Sequence, residues 1–214
     1  AVGGSINVVP KRAGDTPLAR VTASYLSDAQ WGGHVDLGQR FGEHKQFGIR
    51  VNGVYRDGEG AIDHQKKKTK LVSVGLDWRG NGARLSADLY HSEDRADGLN
   101  RGVNLAPGLP VPRPPKAETL LNPSWAFYDT KDKGAMLRGE LDVNEQVMAY
   151  AAVGASRADY QSTGAYLIQV FNTAGDYRTN LADLGFDVEK QSAEAGLRGK
   201  LRTGDIGHQW AVNA

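Results

Sequence analysis

The chain has 214 residues, with 26 lysines and arginines against 25 acidic residues and a formal net charge of +1, which excludes a strongly basic nucleic-acid binder or a polybasic membrane-surface protein. It contains no cysteine, which excludes disulfide scaffolds, cysteine-based zinc fingers and thiol catalysis. Glycine is frequent, at 27 residues, and the mean hydropathy of −0.48 argues against a helical membrane protein.

The two ends suggest that the sequence is part of something longer. It begins at Ala1 without the apolar region of a signal peptide, and it stops at Ala214 within a patterned segment. No stretch approaches the roughly 18 consecutive apolar residues of a membrane helix. We therefore expect a piece cut from a longer polypeptide.

Alternation of apolar and polar residues with period two predicts strands from about Val35 onward. In 34–41, for example, Val35, Leu37 and Phe41 alternate with polar residues. The same pattern occurs in 47–56, 71–78, 84–90, 135–143 and 192–201, with weaker candidates in 17–26, 147–157 and 207–214. Helical periodicity is not sustained anywhere, so the fold class is all-β.

The connections between these strands alternate in length. Short connections at 42–46, 79–82, 144–146 and 203–206 alternate with long ones at 57–68, 94–133 and 158–190, and only the first connection, 27–30, is short where a long one is due. In an antiparallel up-and-down meander, every second connection lies at the same end. Short turns at one rim and long outer loops at the other are typical of outer-membrane barrels. The periodicity itself does not separate a barrel from a soluble sandwich, because the polar face suits either outside water or a hydrated lumen.

Aromatic residues lie near the predicted strand ends. Phe41 and Phe47 flank one short turn and Trp78 precedes another, whereas Tyr25, Trp31 and Tyr55 lie at the opposite ends. Amphipathic rings are stable at the depth of lipid headgroups, so these residues are predicted to form two interfacial girdles.

Three motifs carry a resemblance to a known family. Residues 1–12, A-V-G-G-S-I-N-V-V-P-K-R, resemble the end of the plug domain of TonB-dependent outer-membrane receptors. The matching positions are Gly3, Gly4, Ile6, Asn7, Val9, Lys11 and Arg12. The stretch 197–210 looks like a strand, periplasmic turn and strand of the ferrichrome-type siderophore-receptor branch, and G-L-P-V-P-R-P-P at 108–115 with N-P-S-W at 122–125 is similar to an outer loop of ferric-siderophore receptors.

This resemblance implies the architecture of the chain. Residues 1–14 are expected to be the C-terminal end of the plug, and 15–214 the N-terminal part of the barrel, with outer loops at about 94–133 and 158–190. About nine strands of a 22-stranded transmembrane β-barrel are expected, so this chain alone does not close the barrel. An open sheet leaves unpaired edges that lipid does not tolerate, and the fragment alone is therefore not expected to transport.

The resemblance also implies a function in the bacterial outer membrane. Such a receptor binds a ferric siderophore and imports it when energy delivered by TonB, through segments missing from this chain, rearranges the plug. The siderophore itself ligates the iron, so no cofactor or protein metal site is expected, and the five histidines show no ligand spacing. Outer-membrane lipid and lipopolysaccharide are the other expected partners, with nucleic acid excluded. Lys66, Lys67, Lys68 and Lys70 form a basic run that either meets lipopolysaccharide phosphates or is solvated.

Candidate siderophore contacts lie in and beside the long, proline-rich segment 94–133. Aromatic rings suit the arms of a siderophore, and arginines attract an anionic complex. The candidates are Trp125, Phe127, Tyr128, Arg95, Arg101, Arg113 and Tyr90. For each of them a structural role, pinning the loop or pairing a charge, is the alternative.

Three other classes of function are weighed. A passive porin-like barrel lacks a plug, which the start of the chain argues against. A soluble β-sandwich binding module requires a closed hydrophobic core. An enzyme is not expected, because the sequence has no nucleophile elbow, phosphate loop, zinc motif or informative acid pair, and no catalytic residue is assigned.

Overall fold

The computed structural model describes residues 3–4, 8–26 and 29–214, and these form one antiparallel sheet. Ile6 and Asn7 of the first motif, and residues 27–28 of the first predicted turn, lie outside the described residues. The strands are β1 (Leu18–Leu26), β2 (Gln30–Phe41), β3 (Phe47–Glu59), β4 (Lys66–Arg79), β5 (Ala83–Asp97), β6 (Val103–Leu105), β7 (Phe127–Asp142), β8 (Val147–Val170), β9 (Tyr177–Thr203) and β10 (Ile206–Asn213).

The strand order is that of a simple meander. Each strand pairs with its sequence neighbour in the order β1-β2-β3-β4-β5-β7-β8-β9-β10, and the three-residue β6 pairs in parallel with the end of β8. The prediction of about nine antiparallel strands is confirmed, and so is the prediction that this chain leaves the sheet open, since β1 and β10 are its two edges. Among the described residues there is no helix long and apolar enough to cross a membrane.

The register gives the sheet two chemically distinct faces. The first, the apolar face, carries cross-strand rows of aliphatic side chains because period-two alternation places every second residue on the same side. One such row crosses six strands through Leu37, Val51, Val74, Leu89, Ala135 and Ala155. The second, the polar face, carries the alternate positions, including Asp36, Arg50, Asp88 and Glu140.

The apolar face is not covered by the described part of the chain. Leu37 is 43 % exposed and Leu137 is 53 % exposed, although both lie in the middle of their strands. The buried apolar residues among those described are only Ala13, Ala96, Ala126, Ala165 and Ile168. A soluble sandwich needs two faces packed against each other, so this sheet does not fit that alternative.

All three of the predicted long connections are shorter in the structure, and 57–68 narrows to 60–65. The segment 158–190, predicted as an outer loop, is mostly strand: β8 and β9 pair from Val147↔Gly199 to Val170↔Tyr177, and only 171–176 connect them. The segment 94–133 narrows to 98–126, because β5 continues to Asp97 and β7 begins at Phe127. Backbone pairing continues past the point where apolar alternation ends. The sequence pattern therefore underestimates the length of these strands.

The aromatic residues occupy the two ends of the apolar face, as the girdle prediction places them. Phe41, Phe47 and Trp78 are cross-strand neighbours at the short-turn end. At the opposite end Tyr25 and Trp31 pack with their ring centroids 4.7 Å apart. Ten residue steps from Trp31 to Phe41 span about 34 Å along the strand. For a strand tilted by about 40° this is close to the ~25 Å apolar band of outer-membrane barrels.

Candidate functional site

Four aromatic side chains lie on the polar face between the middle of the sheet and the outer ends of the strands, the ends away from the short turns. Tyr90 of β5, Tyr128 of β7, Tyr160 of β8 and Phe186 of β9 all occupy polar-face positions. The rings of Tyr160 and Phe186 are stacked, with centroids 4.9 Å apart and planes inclined by 23°. We call these four residues the aromatic surface. Phe186 remains 55 % exposed, so its ring is open to a ligand.

Carboxylates hold two of the three tyrosines of this surface. The Tyr90 hydroxyl donates to Asp132 Oδ1 at 2.8 Å, and the Tyr128 hydroxyl donates to Asp94 Oδ2 at 3.4 Å. Burial, reinforced by the charge of Asp94, raises the pKa of the Tyr128 hydroxyl. The phenol therefore stays protonated and keeps a polar edge beside an apolar ring.

The loop 98–126 docks at the same end of the sheet. Arg101 Nη2 donates to Ser162 Oγ at 3.0 Å, and the Arg101 guanidinium lies 5.3 Å from the ring centroid of Tyr166. Asn122 Nδ2 donates to the Ala165 carbonyl at 3.2 Å. Ser162 and Asn122 are both buried, so the two ends of the loop are fixed against β8.

The end of this loop packs closely against Gly164 of β8. A Cβ added there would lie 2.6 Å from Ala126 Cβ, so Gly164→Ala is expected to displace the loop base at a cost of about 1–3 kcal/mol. Trypsin cleavage after Arg101 should become faster in the variant, because Arg101 loses its contacts with β8. Gly185→Ala, where an added Cβ meets nothing within 4 Å, is the matched control. Unchanged cleavage in Gly164→Ala would contradict the docked loop.

The structure brings some of the predicted site residues together and separates others. Tyr90 and Tyr128 lie on the polar face, and Arg101 reaches the same region from the loop. Trp125 precedes β7 and is 54 % exposed, and Arg113 is exposed in the proline-rich part of the loop.

Arg95 and Phe127 lie on the opposite side of the sheet. The Arg95 guanidinium is 4.5 Å from the ring centroid of Phe127. It also donates to Asp97 Oδ1 at 2.7 Å and to Asp129 Oδ2 at 3.3 Å. These four residues all occupy apolar-face positions, beyond the aliphatic rows.

Tyr160 and Phe186 are the members of the aromatic surface that the sequence analysis missed as site residues. For Phe186 a signal was present, because Leu184, Phe186 and Val188 alternate with glycine or acidic residues through this part of β9. Here the pattern is inverted: the apolar side chains occupy the polar face, whereas Asp187 and Glu189 occupy the apolar face.

The inversion belongs to a wider charged band on the apolar face, directly beyond the aliphatic rows. Its side chains pair across strands, as in Lys70–Glu93 at 2.8 Å and Arg157–Glu189 at 3.0 Å. Lys68, from the basic run, pairs with Asp57 at 3.3 Å. The apolar face thus changes from aliphatic to ionic at about the height where Tyr128, Tyr160 and Phe186 lie on the polar face.

No group of three histidine, aspartate or glutamate side chains is placed to hold a metal ion in the described part of the chain. The site is therefore a surface of rings, hydroxyls and one loop guanidinium. Its rings offer apolar contact and its guanidinium offers a positive charge.

No protein-family model matches the chain. Over 209 residues, 97 % of its length, it is 40 % identical to the ferrichrome receptor FcuA of Yersinia enterocolitica. It is also similar in structure to BauA, the ferric preacinetobactin receptor of Acinetobacter baumannii, with a TM-score of 0.91 at 51 % identity over 95 % of the chain. The ferric-catecholate import receptor Fiu of Escherichia coli K12, in its closed form, shares the fold with a TM-score of 0.78 at 20 % identity over the whole chain.

The chain spans only part of each of these proteins. It covers 27 % of FcuA, 30 % of BauA and 33 % of Fiu.

Proposed function

Because the chain belongs to the TonB-dependent siderophore receptors of the bacterial outer membrane, as a segment of the larger barrel, we propose that the complete receptor binds a ferric siderophore at its outer face and imports it with TonB-coupled energy. The observation that carries this proposal is the aromatic surface on the polar face, where Tyr128, Tyr160 and Phe186 lie beyond the aliphatic rows. The open sheet does not transport by itself. TonB acts through parts of the receptor outside this chain.

The substrate class follows from the relatives and from the chemistry of the surface. FcuA is a receptor for ferrichrome and BauA for ferric preacinetobactin, so we take a ferric siderophore as the ligand class. The stacked rings of Tyr160 and Phe186 offer a flat apolar contact, and Arg101 supplies a positive charge for an anionic complex. The siderophore carries the iron, so the protein needs no cofactor of its own.

Tyr90, Tyr128 and Arg101 are the predicted contacts that we retain, with Tyr160 and Phe186 added. Trp125 and Arg113 are exposed in the loop and remain candidates for an outer contact. Arg95 and Phe127 are not included, because they lie on the apolar-face side and contact each other and nearby carboxylates.

The domain division is also part of this proposal. Residues 1–14 form the end of the plug and 15–214 the start of the barrel. This is supported by residues 11–13, which contact the polar face and do not belong to a strand.

Lipid and lipopolysaccharide complete the proposed partners. The aliphatic rows of the apolar face would contact lipid tails, and the charged band beyond them would lie at headgroup height. Residues 11–13 are held on the polar face, and this argues against the alternative of an open porin-like barrel. Since the relatives are receptors, we propose no catalytic activity.

Removing one ring from the stacked pair is expected to weaken siderophore binding. Tyr160→Ala or Phe186→Ala in the complete receptor should raise the Kd about 3- to 10-fold, because one aromatic contact contributes about 0.5–1.5 kcal/mol beyond area burial. Equilibrium titration with iron-55-labelled ferrichrome, and with a panel of other ferric siderophores, measures the change.

Phe127→Ala is the matched control, since Phe127 lies at the same end of the sheet on the opposite face. Its Kd should equal that of the parent receptor. A loss of affinity in Phe127→Ala, with none in Tyr160→Ala or Phe186→Ala, would contradict the proposed surface. Absence of binding to every ferric siderophore tested would contradict the function itself.

A further inference from the structure

The residues just before β1 are attached to the polar face of the sheet through Lys11, Arg12, Ala13 and Asp15. We call Lys11–Asp15 the junction segment. Its side chains and carbonyls contact β2, β3, β4, β5 and the β2–β3 turn, which lie between 25 and 76 residues away in sequence. An exposed loop normally makes few such contacts.

The first half of the junction segment is held by two aspartates. The Arg12 guanidinium forms a fork with Asp88, with N–O distances of 2.5 and 2.6 Å. Lys11 Nζ lies 3.2 Å from Asp36 Oδ2, and Arg50 holds the same carboxylate at 2.5 and 2.8 Å. Arg50 also donates to the Arg12 carbonyl at 3.2 Å, so both the side chain and the backbone of Arg12 are bound to the sheet. Asp36 is only 1 % exposed, and charge-assisted bonds in such a setting are strong.

The second half is held by Arg40, whose side chain is 3 % exposed. Arg40 donates to the Ala13 carbonyl at 3.0 Å, to the Lys45 carbonyl at 2.6 Å and to Asp77 Oδ2 at 2.6 Å. Ala13 is buried as a result. Lys45 Nζ in turn donates to the Asp15 carbonyl at 3.0 Å, and Arg79 pairs with the Asp15 side chain.

A glycine on the sheet makes room for this attachment. A Cβ at Gly75 would lie 2.8 Å from Arg12 Nη1 and 3.1 Å from the Lys11 carbonyl oxygen. The polar face therefore matches the junction segment in shape as well as in charge.

The cleft beside the junction segment continues to the residues before it. Val8, Val9, Pro10, Arg12 and Ala13 border this cleft of about 670 Å³ against the polar face, which Ser86 also lines. Among the described residues, the hydrogen bonds and ion pairs to the polar face begin at Lys11.

We propose that the junction segment is a fixed anchor, which stays on the polar face while the part of the plug N-terminal to Lys11 moves during import. This inference rests on the proposed function for the existence of the movement, while the anchor itself rests on the contacts above. A plug that moves in this way rearranges without detaching its end from the barrel.

Two cysteine pairs in the complete receptor test the anchor. Asp15→Cys/Arg79→Cys links the junction segment to β4, and Val9→Cys/Ser86→Cys links the preceding residues to β5 across the cleft. A short, reducible bis-methanethiosulfonate reagent closes each link, and the chain's own lack of cysteine keeps the background low. Uptake of iron-55-labelled siderophore should be nearly unchanged by the first link. It should fall about tenfold or more with the second and recover on reduction. Loss of uptake with the Asp15/Arg79 link would overturn the proposal.

The rate of cross-linking tests the anchor separately from uptake. The Asp15/Arg79 link should form equally fast in cells with and without energised TonB, whereas Arg12→Gln should slow it several-fold by releasing the fork to Asp88. A rate that falls on energisation, or one that Arg12→Gln leaves unchanged, would overturn the anchor. A parent receptor that takes up no siderophore contradicts the proposed function only, because these rates need no transport.

Discussion

Placing an arginine at Leu137 is expected to destabilise the complete barrel by about 2–4 kcal/mol, the cost measured for a cation on the lipid side near the middle of a membrane strand. Leu137 lies centrally on the apolar face, between Ala87 and Val153 on the neighbouring strands. It is 53 % exposed in the described structure, so the loss arises from contact with lipid and involves no overpacked core. Equilibrium unfolding of the receptor in lipid vesicles by guanidinium measures the difference.

The neighbouring residue is the natural control, because adjacent residues of a strand point to opposite faces. Met136→Arg places the same charge on the polar face, opposite Asp88 in the register. Its unfolding free energy should lie within about 1 kcal/mol of the parent value. An equal loss in both variants, or a larger loss at Met136, would mean that the two faces are assigned the wrong way round.

The central part of the fold was predictable from the sequence because one physical rule governs it. Where one face of a strand meets an apolar medium, every second residue must be apolar, and 71–78 and 135–143 obey this rule throughout. The periodic segments, nine with the weaker ones included, correspond to the nine strands of the meander, whereas the meander itself was predicted from the alternating lengths of the connections.

The outer ends of β8 and β9 were not predictable in the same way. Beyond the aliphatic rows neither face has to be apolar, so the alternation that identifies a strand disappears or inverts, as at Phe186 and Asp187. Backbone hydrogen bonds continue there regardless of side chain. The three-residue β6, which pairs in parallel with β8, depends on a contact between residues 65 positions apart and has no local signal.

The candidate site was predictable in part. Tyr90 and Tyr128 were predicted as contacts, and their faces follow from parity with Asp88 and Arg138. Sequence proximity also grouped Phe127 with Tyr128, although adjacent strand residues point to opposite faces. The partners of the junction segment were beyond prediction, since Arg12 and Asp88 are 76 residues apart and a single sequence holds no record of their contact.

Removing the charge of Arg40 is expected to have the largest effect of any single change near the junction segment. Arg40→Met keeps most of the side-chain volume but leaves Asp77 without its cation and three backbone carbonyls without a donor. Asp77 Oδ1 already has no hydrogen-bond partner among the described residues. Breaking a buried pair by removing one partner costs about 3–5 kcal/mol, and the receptor should lose about that much unfolding free energy in lipid vesicles.

Two further variants separate the causes of this loss. Arg79→Met removes an exposed arginine that pairs with Asp15, and it should cost about 1 kcal/mol or less. Arg40→Met/Asp77→Leu removes both buried charges and should recover much of the loss, because an apolar replacement of a whole buried pair is often neutral. The part of the free-energy loss that the double variant does not recover comes from the hydrogen bonds to the carbonyls of Ala13, Lys45 and Gln46. It therefore measures how strongly Arg40 holds the junction segment and the β2–β3 turn. If Arg40→Met costs no more than Arg79→Met, Arg40 does not hold the segment in place.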